Sequence, residues 1–150
     1  MTPYAADIPT LLFQCRTIAV VGLSVKANRP SHEVAQYMQS HGYRIIPVNP
    51  TYAGTYILGE YCYASLAEAA RAVAKEGGKI DLVDCFRKSD AIAPIADEAI
   101  AIGARCLWMQ LGVINEEAAA KAAAAGLAVV MDRCIKIEHM HLPNSLANER

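Results

Sequence analysis

The loop after the first apolar run of the sequence carries the side chains best suited to chemistry. It contains Gly22, Ser24, Lys26, Arg29 and Pro30, and Ser31 can cap the helix that follows. Backbone N–H groups at a helix N-terminus attract anions, and Lys and Arg add full positive charges. The loop therefore predicts a phosphate cradle built by Gly22, Ser24, Lys26, Arg29 and Pro30. A plain polar connection with solvated cations is the alternative.

A second candidate lies at the end of the next apolar run, which closes on the rigid turn Pro47-Val-Asn-Pro50. Two prolines fix φ there, and the Asn49 side chain offers both a donor and an acceptor. The pattern predicts that Asn49 and Pro50 line an adenine or ribose pocket. A turn that only terminates a strand remains an equal alternative on local grounds.

The third apolar run ends in a flat apolar residue followed by two cations, Phe86, Arg87 and Lys88. Together with the first loop, they would gather positive charge at one rim, as a polyphosphate ligand requires. The alternative is that the cations pair with nearby acids, namely Asp81, Asp90 or Glu60.

Two common nucleotide fingerprints do not fit these loops. A GxGxxG motif starting at Gly22 would need glycine at Ser24 and at Ala27, and the second strand does not end in the acid that holds a ribose diol. The P-loop pattern GxxxxGK[ST] does not occur either. These absences disfavour a nicotinamide fingerprint and a P-loop nucleotidase.

The segment near the C-terminus contains residue types that bind metals or act as nucleophiles: Cys134, Glu138, His139 and His141. Their spacing matches no standard zinc site, and closeness in sequence does not orient a thiolate toward a base. We therefore predict no metal ligand and no catalytic residue here.

The elements that would position these loops alternate regularly. Short Val- and Ile-rich runs predict five strands: Thr17–Val21, Arg44–Val48, Ile80–Phe86, Arg105–Gln110 and Leu127–Met131. Helical patterns and caps fill the gaps, and a short packing helix is expected around Ile8–Gln14. The sequence therefore predicts an α/β fold, a three-layer Rossmann-like doubly wound parallel sheet, with strand order 3-2-1-4-5.

Length and composition bound the remaining possibilities. One domain is expected over residues 1–150, with an N-terminal packing segment over 1–16 and a frayed tail over 143–150. A net charge of −1 argues against a nucleic-acid surface, and no apolar run is long enough to span a membrane. Five isolated cysteines and the absence of a signal peptide at the N-terminus are typical of a cytoplasmic protein.

Several motifs together resemble the small bacterial and archaeal CoA-binding proteins, a family similar to the CoA-binding domain of the succinyl-CoA synthetase α subunit. They are Ala19–Ser24, Arg29–Ser31, Gly42–Pro50, Ile57–Glu60, Trp108–Gly112 and Met131–His139. The resemblance implies that coenzyme A binds at the carboxyl edge of the sheet. By position, the first loop would hold phosphates, while the Asn49-Pro50 turn and Phe86-Arg87-Lys88 would flank the adenosine and pantetheine portions.

The resemblance does not carry over the ligase reaction, because nothing in the chain matches a phosphohistidine loop or a nucleotide grasp. We expect a stand-alone module that binds coenzyme A or an acyl-CoA, rather than an enzyme. A thioester-related enzyme or a partner subunit of a larger acyl-CoA ligase is one alternative, and an NAD(P)-binding sensor is another. Whether the chain forms a homo-oligomer is left open.

Overall fold

Five parallel strands form the central sheet of the computed structural model, which describes residues 7–143. The strands of the described chain are β1 (Thr17–Val21), β2 (Arg44–Val48), β3 (Tyr56–Ile57), β4 (Glu60–Tyr61), β5 (Leu82–Cys85), β6 (Cys106–Met109) and β7 (Ala128–Val130). The helices are α1 (Ile8–Gln14), α2 (Pro30–Ser40), α3 (Leu66–Lys75), α4 (Ile92–Ala101), α5 (Glu116–Ala124) and α6 (Ile135–Met140). β3 and β4 form a separate antiparallel hairpin.

The sheet is covered on both faces, which explains why its strands are apolar almost throughout. Side chains alternate between two core clusters, since successive residues of a strand point to opposite faces. One cluster joins Ala19 and Val21 to α3, α4 and α5, and the other joins Ile18 and Val20 to α1, α2 and α6. The predicted three-layer doubly wound fold is therefore confirmed.

The strand order differs from the expectation. The sheet runs β2-β1-β5-β6-β7, so the third parallel strand lies beside β1 and not beyond β2. The outer edge of β2 is instead closed by Tyr63, whose N–H donates to Pro47 O at 3.0 Å and whose carbonyl accepts from Asn49 N–H at 2.9 Å. A single bridging residue thus takes the place that a 3-2-1 order gives to a strand. The order reverses at β1, and the crevice of such a sheet lies between β1 and its next parallel neighbour, β5.

The helices largely follow their sequence signals. The side chains of Ser65 and Asn115 cap α3 and α5 by accepting from Glu68 N–H and Ala118 N–H. A 3-10 turn, Ser89–Ala91, precedes α4, which begins two residues before Pro94. Within the part of the chain that is described, no helix is both long and apolar enough to cross a bilayer.

Two elements were not predicted. The β3–β4 hairpin turns at Leu58 and Gly59, which have φ values of 54° and 79°. Helix α6 follows a residue with positive φ, Asp132 at 61°, which turns the chain sharply after β7. The expected frayed tail lies, from residue 144 onward, outside the described residues, as do residues 1–6.

All five cysteines are buried, and none of them forms a disulfide within residues 7–143. Cys15, Cys106 and Cys134 lie in the cluster beneath α1, α2 and α6.

Candidate functional site

A cleft of about 380 Å³ opens at the carboxyl end of β1, at the switch point of the sheet. Residues from three loops line it: Gly22, Ser24, Lys26, Arg29, Pro30, Ser31, Asn49, Thr51, Tyr52 and Phe86. The strand order brings these loops together, because β1 lies between β2 and β5.

Two serine hydroxyls shape the loop between β1 and α2. The Ser31 Oγ accepts from the Ser24 N–H at 3.1 Å, and the Ser24 Oγ accepts from the Lys26 N–H at 3.0 Å. Each hydroxyl is therefore held in place as an acceptor. Neither donates its own proton to a protein acceptor within residues 7–143, so both keep a donor for a ligand.

Asn49 ties the second loop to the first. Its Nδ2 donates to Leu23 O at 3.1 Å, and its Oδ1 accepts from the Thr51 N–H at 3.0 Å. The second bond caps a 3-10 turn, Pro50–Tyr52, which brings Tyr52 to the wall of the cleft. Asn49 thus positions both sides of the cleft in addition to lining it.

Gly22 sits where the ends of β1 and β5 come close together. Its φ is +94°, and a Cβ built on it would lie 2.3 Å from Phe86 O and 3.0 Å from Arg87 Cδ. Only glycine allows that approach together with that backbone conformation. The Arg87 side chain consequently lies directly beside Gly22, at the start of the first loop.

The cations of the rim have no acidic partner among the described residues. Within residues 7–143, none of Lys26, Arg29, Arg87 and Lys88 takes part in an ion pair, and all four are exposed.

Two of the acids suggested as alternative partners are used elsewhere. Asp81 accepts from the backbone N–H groups of Arg16 and Thr17, and Glu60 pairs with Arg44 at 3.3 Å. The positive charge at the rim is therefore available to an anion.

The structure places most, but not all, of the predicted site residues at the cleft. Gly22, Ser24, Lys26, Arg29, Pro30, Asn49 and Phe86 line it, whereas Pro50, Arg87 and Lys88 do not. Arg87 lies beside Gly22, and Lys88 precedes the 3-10 turn that leads away into α4.

Three lining residues were missed by the sequence analysis, namely Ser31, Thr51 and Tyr52. Ser31 was interpreted only as a helix cap; that prediction is wrong, since Ser31 lies inside α2 and the N-cap position belongs to Arg29. The sequence did contain a signal for Tyr52. An aromatic residue two positions after the Asn49-Pro50 pair belongs to the same turn, and it therefore lies at the same carboxyl edge of the sheet.

Burial disfavours the charged form of the titratable groups on β5. Asp84 is fully buried, its Oδ1 has no hydrogen-bond partner among the described residues, and burial raises its pKa well above 3.8. Burial likewise raises the pKa of the neighbouring Cys85 thiol. The strand that leads to Phe86 thus favours protonated groups, in contrast to the cationic rim.

The candidate residues near the C-terminus do not converge. His139 is buried and its Nδ1 shares a hydrogen bond of 2.9 Å with the Tyr37 hydroxyl, while Glu138 pairs with Arg133 at 3.4 Å. Cys134 is buried at the start of α6. Among the described residues, no three His, Cys, Asp or Glu side chains are grouped so as to hold a metal ion.

The fold and the cleft define a doubly wound α/β domain with an anion-attracting crevice at its switch point. The comparison with protein families is more specific: a model described as a CoA binding domain matches residues 16–140. The chain belongs to this family of CoA-binding domains.

Individual proteins are similar to this chain over most of its length. The Bacillus subtilis (strain 168) protein YneT is 41% identical over 137 residues, covering 91% of this chain and 95% of YneT. A solved hypothetical protein from Pyrococcus horikoshii OT3 is similar at 35% identity and a TM-score of 0.83, covering 95% of this chain and 96% of its own. A Thermus thermophilus structure, cell-free ID.343, matches at 34% identity with a TM-score of 0.81, covering 91% and 97%.

More distant structures share only the fold. RSP, a Rex-family repressor, is 15% identical with a TM-score of 0.55, over 81% of this chain and 55% of RSP.

Proposed function

We propose that this chain binds coenzyme A, free or acylated, in the cleft between β1, β2 and β5, and acts as a stand-alone binding module. The observation that carries the proposal is that Lys26 and Arg29 line the switch-point cleft of a CoA-binding-family domain without an ion-pair partner among residues 7–143. Coenzyme A carries a pyrophosphate and a further ribose phosphate, so it supplies several negative charges to such a rim.

The first loop is assigned to the phosphates. Lys26 and Arg29 line the cleft and are exposed, and the hydroxyls of Ser24 and Ser31 keep protons to donate. Charge-assisted hydrogen bonds of this kind are about twice as strong as neutral ones. The α2 N-terminus adds a favourable dipole at the same place.

The flat side chains are assigned to the rest of the nucleotide. Tyr52 and Phe86 line the cleft from the β2 and β5 sides, so an adenine ring has an aromatic or apolar surface available on either side. The pantetheine arm would leave past Phe86 and Arg87, along the carboxyl edge of the sheet.

Binding without chemistry is supported by the cysteine on β5, the strand that ends at the cleft. Burial raises the pKa of the Cys85 thiol, so the protonated form, a poor nucleophile, is favoured. A thioester-related enzyme would need an activated nucleophile or base at this edge.

Isothermal titration with coenzyme A, dephospho-CoA and NADH tests the proposal. We expect coenzyme A to bind most tightly and dephospho-CoA to bind more weakly, because it lacks one phosphate. Lys26→Ala and Arg29→Ala should each weaken binding by about tenfold, the usual scale for one charge-assisted bond.

The matched control is Lys79→Ala, which removes an exposed cation. Lys79 precedes β5 and so lies at the amino ends of the strands, whereas the cleft lies at their carboxyl ends. It should leave the affinity unchanged apart from a small long-range effect. No binding of coenzyme A at millimolar concentration would overturn the proposal. Tighter binding of NADH than of coenzyme A would replace it with a nicotinamide sensor.

A further inference from the structure

An exposed apolar loop continues the cleft along the carboxyl edge of the sheet. Leu111 and Ile114 follow β6 and are 59% and 48% exposed. β6 pairs with β5, the strand that ends beside Phe86 and the cleft. Residues 111–114, here called the β6 loop, therefore lie on the same edge as the proposed phosphate site, about 10 Å beyond β1 at the usual spacing of strands.

The β6 loop is held rigidly although its apolar side chains are exposed. The Gly112 N–H donates to Asp132 Oδ1 at 2.7 Å, and the Ile114 N–H donates to Ser89 Oγ at 2.9 Å. Asn115 Nδ2 also donates to Ser89 O at 2.9 Å. Because Ser89 follows Phe86, Arg87 and Lys88 directly, the loop is fastened to the segment that leaves the cleft. Two large aliphatic side chains are thus fixed in water, where exposed apolar surface commonly marks a binding site.

The polarity along this edge matches one kind of ligand. The β1 end is cationic, with Lys26 and Arg29 at the cleft, whereas residues 110–114 carry no charge. The first turn of α5, directly after the loop, carries the exposed acids Glu116 and Glu117. An acyl-CoA has its phosphates at one end and its acyl group at the other. An uncharged alkyl chain suits the β6 loop, while an acyl group that ends in a carboxylate would face the two acids.

We propose that the β6 loop is a subsite for the acyl chain, so that the module prefers CoA thioesters of uncharged, apolar acyl groups to free CoA and to dicarboxylic thioesters. This inference rests on the proposed function of the cleft. The occupant of the loop is the alkyl chain of the ligand whose phosphates lie at Lys26 and Arg29.

Titration of the whole chain with coenzyme A, octanoyl-CoA and succinyl-CoA tests the inference. We expect octanoyl-CoA to bind at least about tenfold more tightly than coenzyme A, since each partly covered methylene contributes about a factor of two. Succinyl-CoA should bind no more tightly than coenzyme A. In the double variant Leu111→Ser/Ile114→Ser the preference for octanoyl-CoA should disappear, while the affinity for coenzyme A stays the same.

The matched control is Met140→Ser, which removes an apolar side chain that is also 59% exposed but belongs to α6. It should keep the preference. Equal affinities for coenzyme A and octanoyl-CoA would overturn the acyl subsite and leave the proposed function standing, and so would a preference that survives in the double variant. If neither ligand binds, the proposed function itself fails.

Sedimentation of the ligand-free protein completes the test. The same oligomeric state in wild type and double variant is expected of a loop that faces the ligand. Dissociation of an oligomer caused by the double variant alone would assign the loop to an interface between copies of the chain and overturn the acyl subsite.

Discussion

Replacing Gly22 with alanine measures how closely the ends of β1 and β5 must approach. The new Cβ would lie 2.3 Å from Phe86 O, a backbone atom that cannot rotate away. This clash can be relieved only if the end of β5 shifts. A hydrogen bond of 2.9 Å from the Phe86 N–H to Val21 O holds that end in place. Loss or distortion of that bond costs about 0.5–1.5 kcal/mol, and overpacking costs about 1–3 kcal/mol. The left-handed φ of +94° adds about 1–2 kcal/mol.

Gly126→Ala isolates the contribution of the close approach. Gly126 has a nearly identical φ of +96°, but a Cβ built there meets nothing within 4 Å. The control variant should therefore lose only the conformational part, about 1–2 kcal/mol. Urea unfolding of both variants should show Gly22→Ala to be less stable by a further 2–4 kcal/mol, roughly. If the two variants lose the same free energy of unfolding, the close approach of β1 and β5 does not exist in solution.

Three further substitutions, at Asp84 and Asn49, test the strand beneath the cleft and the wall of the cleft. As pH rises, Asp84→Asn should become more stable relative to wild type. The carboxyl of the unfolded chain ionises near pH 3.8, whereas burial keeps the carboxyl of the folded protein protonated to higher pH. The free energy of unfolding of the wild type therefore falls by up to about 1.4 kcal/mol per pH unit between the two pKa values. Urea midpoints from pH 4 to 8 measure this, and a pH-independent difference would contradict the burial of the carboxyl. Asn49→Ala should cost about 1–3 kcal/mol and weaken ligand binding, because the Leu23 carbonyl loses its donor and the 3-10 turn loses its cap. Asn49→Asp keeps the acceptor for the Thr51 N–H, so it should recover part of the stability but not the ligand binding. Equal stability of the wild type, Asn49→Ala and Asn49→Asp would show that the hydrogen bonds of the Asn49 side chain do not stabilise the protein.

The elements that hold the site were predictable because burial on both faces leaves a strong local signal. The strands Thr17–Val21 and Arg44–Val48 have the expected bounds. Their order was not predictable locally, since it depends on the pairing of Tyr63 with the β2 edge, a contact between residues that no periodicity links. The 3-2-1-4-5 expectation failed for that reason.

The short elements escaped prediction because their local signals are weak. Each strand of the β3–β4 hairpin has two residues, and α6 has six. A hairpin of that size shows no alternation, and the sharp turn at Asp132 depends on a positive φ that an aspartate seldom adopts. The bond from the Gly112 N–H to Asp132 Oδ1 fixes that turn, and it joins two loops that are distant in sequence.

The division among the four cations of the rim follows from what comes after each strand. Lys26 and Arg29 lie in a loop that is held to the first turn of α2 by the bond from the Ser24 N–H to Ser31 Oγ, so both stay at the cleft. Lys88 leads immediately into the 3-10 turn and is carried away from it. In a chain with 14 basic and 15 acidic residues, acids were available to neutralise this rim, yet none of the ion pairs within residues 7–143 reaches it. Like charges that no acid of residues 7–143 neutralises repel one another at the cleft, so an anion that binds there gains from relieving that repulsion as well as from its own contacts.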